Sequence, residues 1–157
     1  GLSDFAFGQE NWKPEIQGFY VGESFVDWHA HMILKFGGPP QKEKLNVNAA
    51  AKGKLAIVDA GSMAFWFEHR VLIKVDEVFG SYDVAVASVT ARYGHPKEEG
   101  FDGTVLWEKN GKSYSRGRFA KWPFKNGRIV VQENVSRDQS GVHLETVEEL
   151  AGPDGGE

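Results

Sequence analysis

Thr104-Val105-Leu106-Trp107-Glu108-Lys109-Asn110-Gly111-Lys112-Ser113-Tyr114-Ser115-Arg116 reads as two strands reversed by a two-residue turn. Asn-Gly supplies the two positive-φ residues that a type I′ hairpin turn needs. With Asn110 and Gly111 in the turn, Lys109 pairs with Lys112, Trp107 with Tyr114 and Val105 with Arg116. A second Asn-Gly, Asn126-Gly127, separates Phe119–Phe124 from Arg128–Val135, and Asp138-Gln139-Ser140-Gly141 precedes Val142–Leu150. Four strands joined by short turns make an antiparallel meander.

Upstream, period-two alternation recurs. From Met63 to Phe79 the odd positions are Met63, Phe65, Phe67, His69, Val71, Ile73, Val75, Glu77 and Phe79, one long strand face bent or interrupted once. Ser81–Tyr93 and Ser24–Phe36 read as further strands, and Lys54–Asp59 and Ile16–Val21 as shorter ones. Pro39-Pro40 ahead of Gln41–Lys52 and Gly53 behind it are the layout of one short helix. The expected fold is all-β: a closed antiparallel up-and-down β-barrel of about 8–10 strands, calycin-like, with a two-sheet sandwich or jelly roll as the alternative. One domain over residues 1–157 is expected, loose at 1–9 and 152–157.

Composition narrows the class. Glycine is frequent at 19 of 157 residues and aromatics make up 13%, which suits turns and pleated surfaces. Hydrophobic residues at 41% can fill a core, and the net charge of −4 gives no overall attraction to nucleic acid or anionic membrane. The longest apolar run, Met63–Phe67, is far short of the roughly 20 residues of a membrane-spanning helix. No cysteine is present, so disulfides, thiolate metal sites and a cysteine nucleophile are excluded. The chain opens on no signal-peptide pattern, and a cytoplasmic location is expected.

Three constellations are candidates for chemistry. Asp27-Trp28-His29-Ala30-His31 resembles the Asp-x-His-x-His segment of the amidohydrolase superfamily, but that family's barrel needs roughly 250 residues and an alternation of strands and helices that this chain lacks. As a strand, the segment would place Asp27, His29 and His31 on one face. His69 is the polar exception on the Met63–Val75 face, where burial would tune it as a general acid or base. From Lys109 to Arg128 seven basic residues are interleaved with aromatics and no acid. The hairpin register puts Trp107, Tyr114, Arg116 and Arg118 on one face, suited to a planar ring and a carboxylate. His143 and Glu145 form a weaker pair on the last strand.

No phosphate-binding glycine loop and no Gly-x-Ser-x-Gly elbow occurs. The expected function is therefore a cofactor-independent isomerase, cyclase or lyase. It would move protons on a small hydrophobic or aromatic, partly anionic molecule in the barrel lumen. His69, His31 and Asp27 are the expected catalytic residues. His29, Trp66, Trp107, Tyr114 and Arg116 are expected to bind substrate. No metal is expected, since His29 and His31 supply only two ligands. The alternatives are a carrier of a small hydrophobic ligand and a carbohydrate-binding sandwich that uses surface tryptophans.

Overall fold

A computed structural model describes residues 13–153. The chain is mostly β, 48% strand and 25% helix. The elements are α1 (Phe25–Phe36), a 3-10 turn (Gln41–Glu43), α2 (Lys44–Ala51), β1 (Ala56–Ala60), β2 (Met63–Glu68), β3 (Val71–Phe79), α3 (Tyr82–Tyr93), β4 (Glu98–Phe101), β5 (Val105–Lys109), β6 (Lys112–Phe124), β7 (Gly127–Asp138) and β8 (Gly141–Ala151). The strands form one antiparallel sheet in the order β1-β2-β3-β8-β7-β6-β4, with β5 also pairing β6. The sheet does not close, so the barrel expected from the meander is not confirmed.

Two segments expected as strands are helices. Ser24–Phe36 carries α1 because its ends are built for a helix. Ser24 Oγ accepts from Asp27 N–H, and Gly37, at φ 77°, donates to Ile33 O while Gly38 donates to Met32 O. Trp28 and Met32, four apart, form its buried stripe. Ser81–Tyr93 likewise holds α3: Ser81 Oγ accepts from Val84 N–H, Gly94 follows the last turn, and Tyr82, Ala85, Val89 and Tyr93 repeat on the buried side. Its valines favoured a strand by propensity, but the caps and the helical spacing of the buried residues prevail. The helix expected after Pro39-Pro40 is present as the 3-10 turn and α2.

The meander over Gly103–Leu150 stands, with corrections of register. Asn110 and Gly111 form the turn with φ of 54° and 76°. Lys109 pairs with Lys112 and Trp107 with Tyr114, but a bulge between Val105 and Trp107 sets Val105 opposite Ser115, not Arg116. The β6–β7 turn is Lys125-Asn126, and Gly127 already belongs to β7. A Cβ on Gly127 would overlap the Ala151 carbonyl. The long alternation of Met63–Phe79 is a hairpin, with Glu68 opposite Val71 and His69-Arg70 as its two-residue turn. Both turn residues hold positive φ, 53° and 66°.

The described residues divide into two compact units. The first comprises Lys13–Glu77, Asn126–Arg128 and the chain from Leu150; the second comprises Val78–Lys125 and Ile129–Glu149. In the first, Trp28 and Met32 of α1 are buried, as are Phe65 and Phe67 of β2 and Phe19. Trp28 meets Phe65 and Phe67 edge to face, at centroid distances of 5.4 and 4.8 Å. In the second, Trp122 Nε1–H donates to Gly94 O at 2.8 Å, and Tyr93 meets Phe124 edge-on. Gly152 is buried, and 1–9 and 154–157 lie outside the described residues. Among those residues no helix is long and apolar enough to cross a membrane.

Candidate functional site

A cleft of about 600 Å³ opens in the first unit, within the usual size range of small-molecule sites. It lies among the C-terminal end of α1, the Gly37–Gln41 loop, the β1–β2 turn and β3. Met32, Phe36, Pro39 and Met63 contribute apolar lining, and Gln17, Gln41, Ser62 and Glu77 contribute polar groups. Glu77 is only 8% exposed. It belongs to β3 opposite Met63, which aims its carboxylate into the space that α1 leaves beyond Met32. Gln17 reaches it from a tight turn: Ile16 and Phe19 exchange backbone hydrogen bonds, and Gln17 and Gly18 take positive φ of 56° and 84°. Gln17 Nε2–H donates to Glu77 Oε2 at 2.8 Å.

None of the residues expected to act on substrate lines this cleft. His69 sits in the β2–β3 turn with its side chain 87% exposed, beside Glu68 at 3.7 Å. It is not on the apolar strand face, because the hairpin reverses there. Asp27, His29 and His31 lie on α1, so their common strand face does not exist. At about 100° per residue, Asp27 and His31 share a side of the helix and His29 points away. His29 lines a shallow depression with Pro40 and Lys44 instead. Trp66 is half-buried under the Lys74 ammonium, 4.5 Å from the ring centroid.

His31 has the most elaborate surroundings of these. Its ring stacks on Phe19 at 3.8 Å and packs against Gly18, and Nδ1 lies 3.6 Å from the buried carboxylate of Glu23. Burial pushes the Glu23 carboxyl up from its ordinary value, against the lowering effects of the Tyr20 N–H and of His31. The dyad thus supports the turn that carries Gln17 to the cleft, without facing the cleft itself.

In the second unit the basic–aromatic cluster separates. Trp107 and Tyr114 are cross-strand partners, and Arg116 is exposed nearby. Burial raises the Tyr114 hydroxyl above its ordinary value, reinforced by Glu145 and opposed by Arg116. Arg118 leaves that group. It donates Nε–H and Nη2–H to Glu133 at 2.9 and 2.7 Å, and it lies over the Tyr82 ring and near Asp83. His143 belongs to β8, and beside the β7–β8 turn Ser140 Oγ lies 2.8 Å from its Nε2 while Asp138 accepts from Ser140. That exposed set closes a turn and does not pair His143 with Glu145.

The Arg118 hydrogen bonds, ahead of its charge, hold the Glu133 carboxyl below its ordinary value despite partial burial. A lowered folded-state pKa stabilises the fold above the unfolded value, and that contribution is lost as pH falls through the folded value. Acid titration of unfolding stability should therefore fall less steeply below the ordinary carboxylate range in Arg118→Met than in the wild type. Glu23 contributes with the opposite sign in both proteins and cancels in the difference. Equal slopes for the two would refute the assignment.

Among the described residues, no group of three or more His, Cys, Asp or Glu side chains could hold a metal ion. Glu77, Gln17 and Glu23 escaped sequence reasoning, although Glu77 stands with His69 as a polar residue on the mainly apolar Met63–Phe79 alternation. No protein-family model, no curated protein and no solved structure matches this chain.

Proposed function

We propose that this chain binds a small, largely apolar molecule in the cleft of its first unit and moves a proton on it through Glu77, without a cofactor. The observation that carries this is a carboxylate, nearly buried, at the wall of a cleft of ligand size. Burial limits the group's contact with water, and one hydrogen-bond donor orients it. Among isomerase, cyclase and lyase chemistry, isomerisation asks least of the protein. One carboxyl can take a proton from one atom and return it to another. The absence of cysteine and of a membrane-spanning helix among the described residues fits the cytoplasmic location that we include in this proposal.

The second reading is a carrier of a small hydrophobic ligand. It is favoured by Glu77 being the one titratable side chain among the cleft's lining residues. A carbohydrate-binding role is favoured only by Trp107, half-exposed beside Tyr114 on the meander.

A thermal-shift screen of small apolar compounds tests binding. A ligand at about a hundred times its Kd raises stability by about 2.7 kcal/mol. Ser62→Trp, which fills the mouth of the cleft from an exposed position, should abolish that gain without lowering stability in the absence of ligand. Hits that bind Ser62→Trp as well as the wild type would place binding elsewhere. Turnover that survives Glu77→Gln would favour the carrier.

A further inference from the structure

The described residues contain four buried glutamates: Glu23, Glu77, Glu133 and Glu148. Three have a basic side chain beside them. Glu148 meets Arg92 at 2.7 Å, Glu133 takes two hydrogen bonds from Arg118, and Glu23 lies 3.6 Å from His31. Among the described residues Glu77 has only the neutral amide of Gln17, on one of its two oxygens. No lysine, arginine or histidine lines its cleft. The stretches outside the described residues, 1–12 and 154–157, contain none either.

A buried carboxylate requires a positive partner or several donors to offset the water it has lost. The fold supplies a cation to Glu133 and Glu148 and an imidazole to Glu23, and it withholds any basic side chain from the one that faces an open cleft. We infer that the missing partner comes with the ligand: the molecule bound in this cleft carries an amine, held as ammonium against Glu77, with its apolar body along Met32, Phe36 and Met63. An anionic ligand would meet the Glu77 carboxylate with no lining cation to offset the repulsion. The net charge of −4 also draws cations toward the protein. The inference rests on the cleft being the binding site, and it replaces the carboxylate expected on the ligand with a group of opposite charge.

Benzylamine, benzyl alcohol and benzoate share one ring and differ in the group offered to Glu77. Backbone amide shifts of Ser62 and Gln41 in two-dimensional NMR report entry into the cleft. Benzylamine should bind with a Kd on the order of millimolar, as expected for so small a ligand, and at least tenfold more tightly than benzyl alcohol. Benzoate should not bind. Glu77→Gln should weaken benzylamine at least tenfold and leave benzyl alcohol unchanged. Gln17→Lys, which supplies an internal cation, should exclude benzylamine as well, and it keeps the question decidable if Glu77→Gln fails to fold. Equal affinities for the amine and the alcohol, insensitive to both variants, would overturn the amine and leave the cleft standing as the binding site. Ligand-induced shifts confined to other residues for all three probes would overturn the cleft and the amine together.

Discussion

Trp28→Ala should lower the free energy of unfolding by about 3–5 kcal/mol, the range for removing a large buried aromatic side chain. Trp28 has no exposed surface, and it lies within 6 Å of the rings of Phe25, Phe65 and Phe67. Those three rings cannot all move inward, since Phe65 and Phe67 are held in β2 by pairing on both sides, to β1 and to β3. The cavity therefore stays largely open, and its volume adds to the lost transfer energy. Trp28→Phe should cost less than half as much. The Trp28 indole N–H is buried with no hydrogen-bond partner, and phenylalanine removes that penalty along with the second ring. The midpoint of urea unfolding, at unchanged slope, measures both. Equal costs for the two variants would refute this packing account of the site.

A loss of similar size, about 3–5 kcal/mol, is expected for Arg92→Met, which removes one partner of a buried ion pair. Glu148 has a side chain only 1% exposed, and Arg92 Nη2 lies 2.7 Å from its Oε2. Methionine keeps much of the packing of the arginine stem, so the loss reports mainly on the charge. Two controls separate this from a packing defect. Adding Glu148→Leu to Arg92→Met should recover much of the loss, because an apolar pair of similar volume is often neutral or better. Lowering the pH should also shrink the penalty of the single variant, since a proton on Glu148 removes the charge that Arg92 balanced. A double variant no more stable than Arg92→Met alone would point to packing.

The same contrast between local and distant forces divides what the chain shows on its face from what it hides. Asn110-Gly111 sets a hairpin because two residues at positive φ are a local steric property, and flanking strands need no further information. The meander from β5 to β8 and the helix after Pro39-Pro40 were legible for that reason. The register failed only where a bulge entered at Leu106, since an extra residue in an edge strand leaves no mark in a period-two pattern. At Ser24–Phe36 and Ser81–Tyr93 two periods coexist, and alternation alone points to strand. Ser24 with Gly37, and Ser81 with Gly94, were the local signals that decide for helix.

The candidate site was hidden for a different reason. Gln17 and Glu77 are 60 residues apart, and no spacing rule connects a turn before the first helix to the C-terminal end of the third strand. Their meeting depends on tertiary packing: α1 buries Trp28 and Met32, and the backbone of Gly22–Phe25 is tied to Arg70 and Leu72 by hydrogen bonds. The histidines that stood out in the sequence did so by residue type alone, and type does not say which way a side chain faces. His69 fell on the solvent side of a hairpin turn and His31 beneath the Gln17 turn. Residue types and their spacing suffice for a β-rich chain, its C-terminal meander and the absence of thiol chemistry. Which carboxylate is buried without a cation, and which cleft it faces, was decided only when long-range packing brought separate segments together.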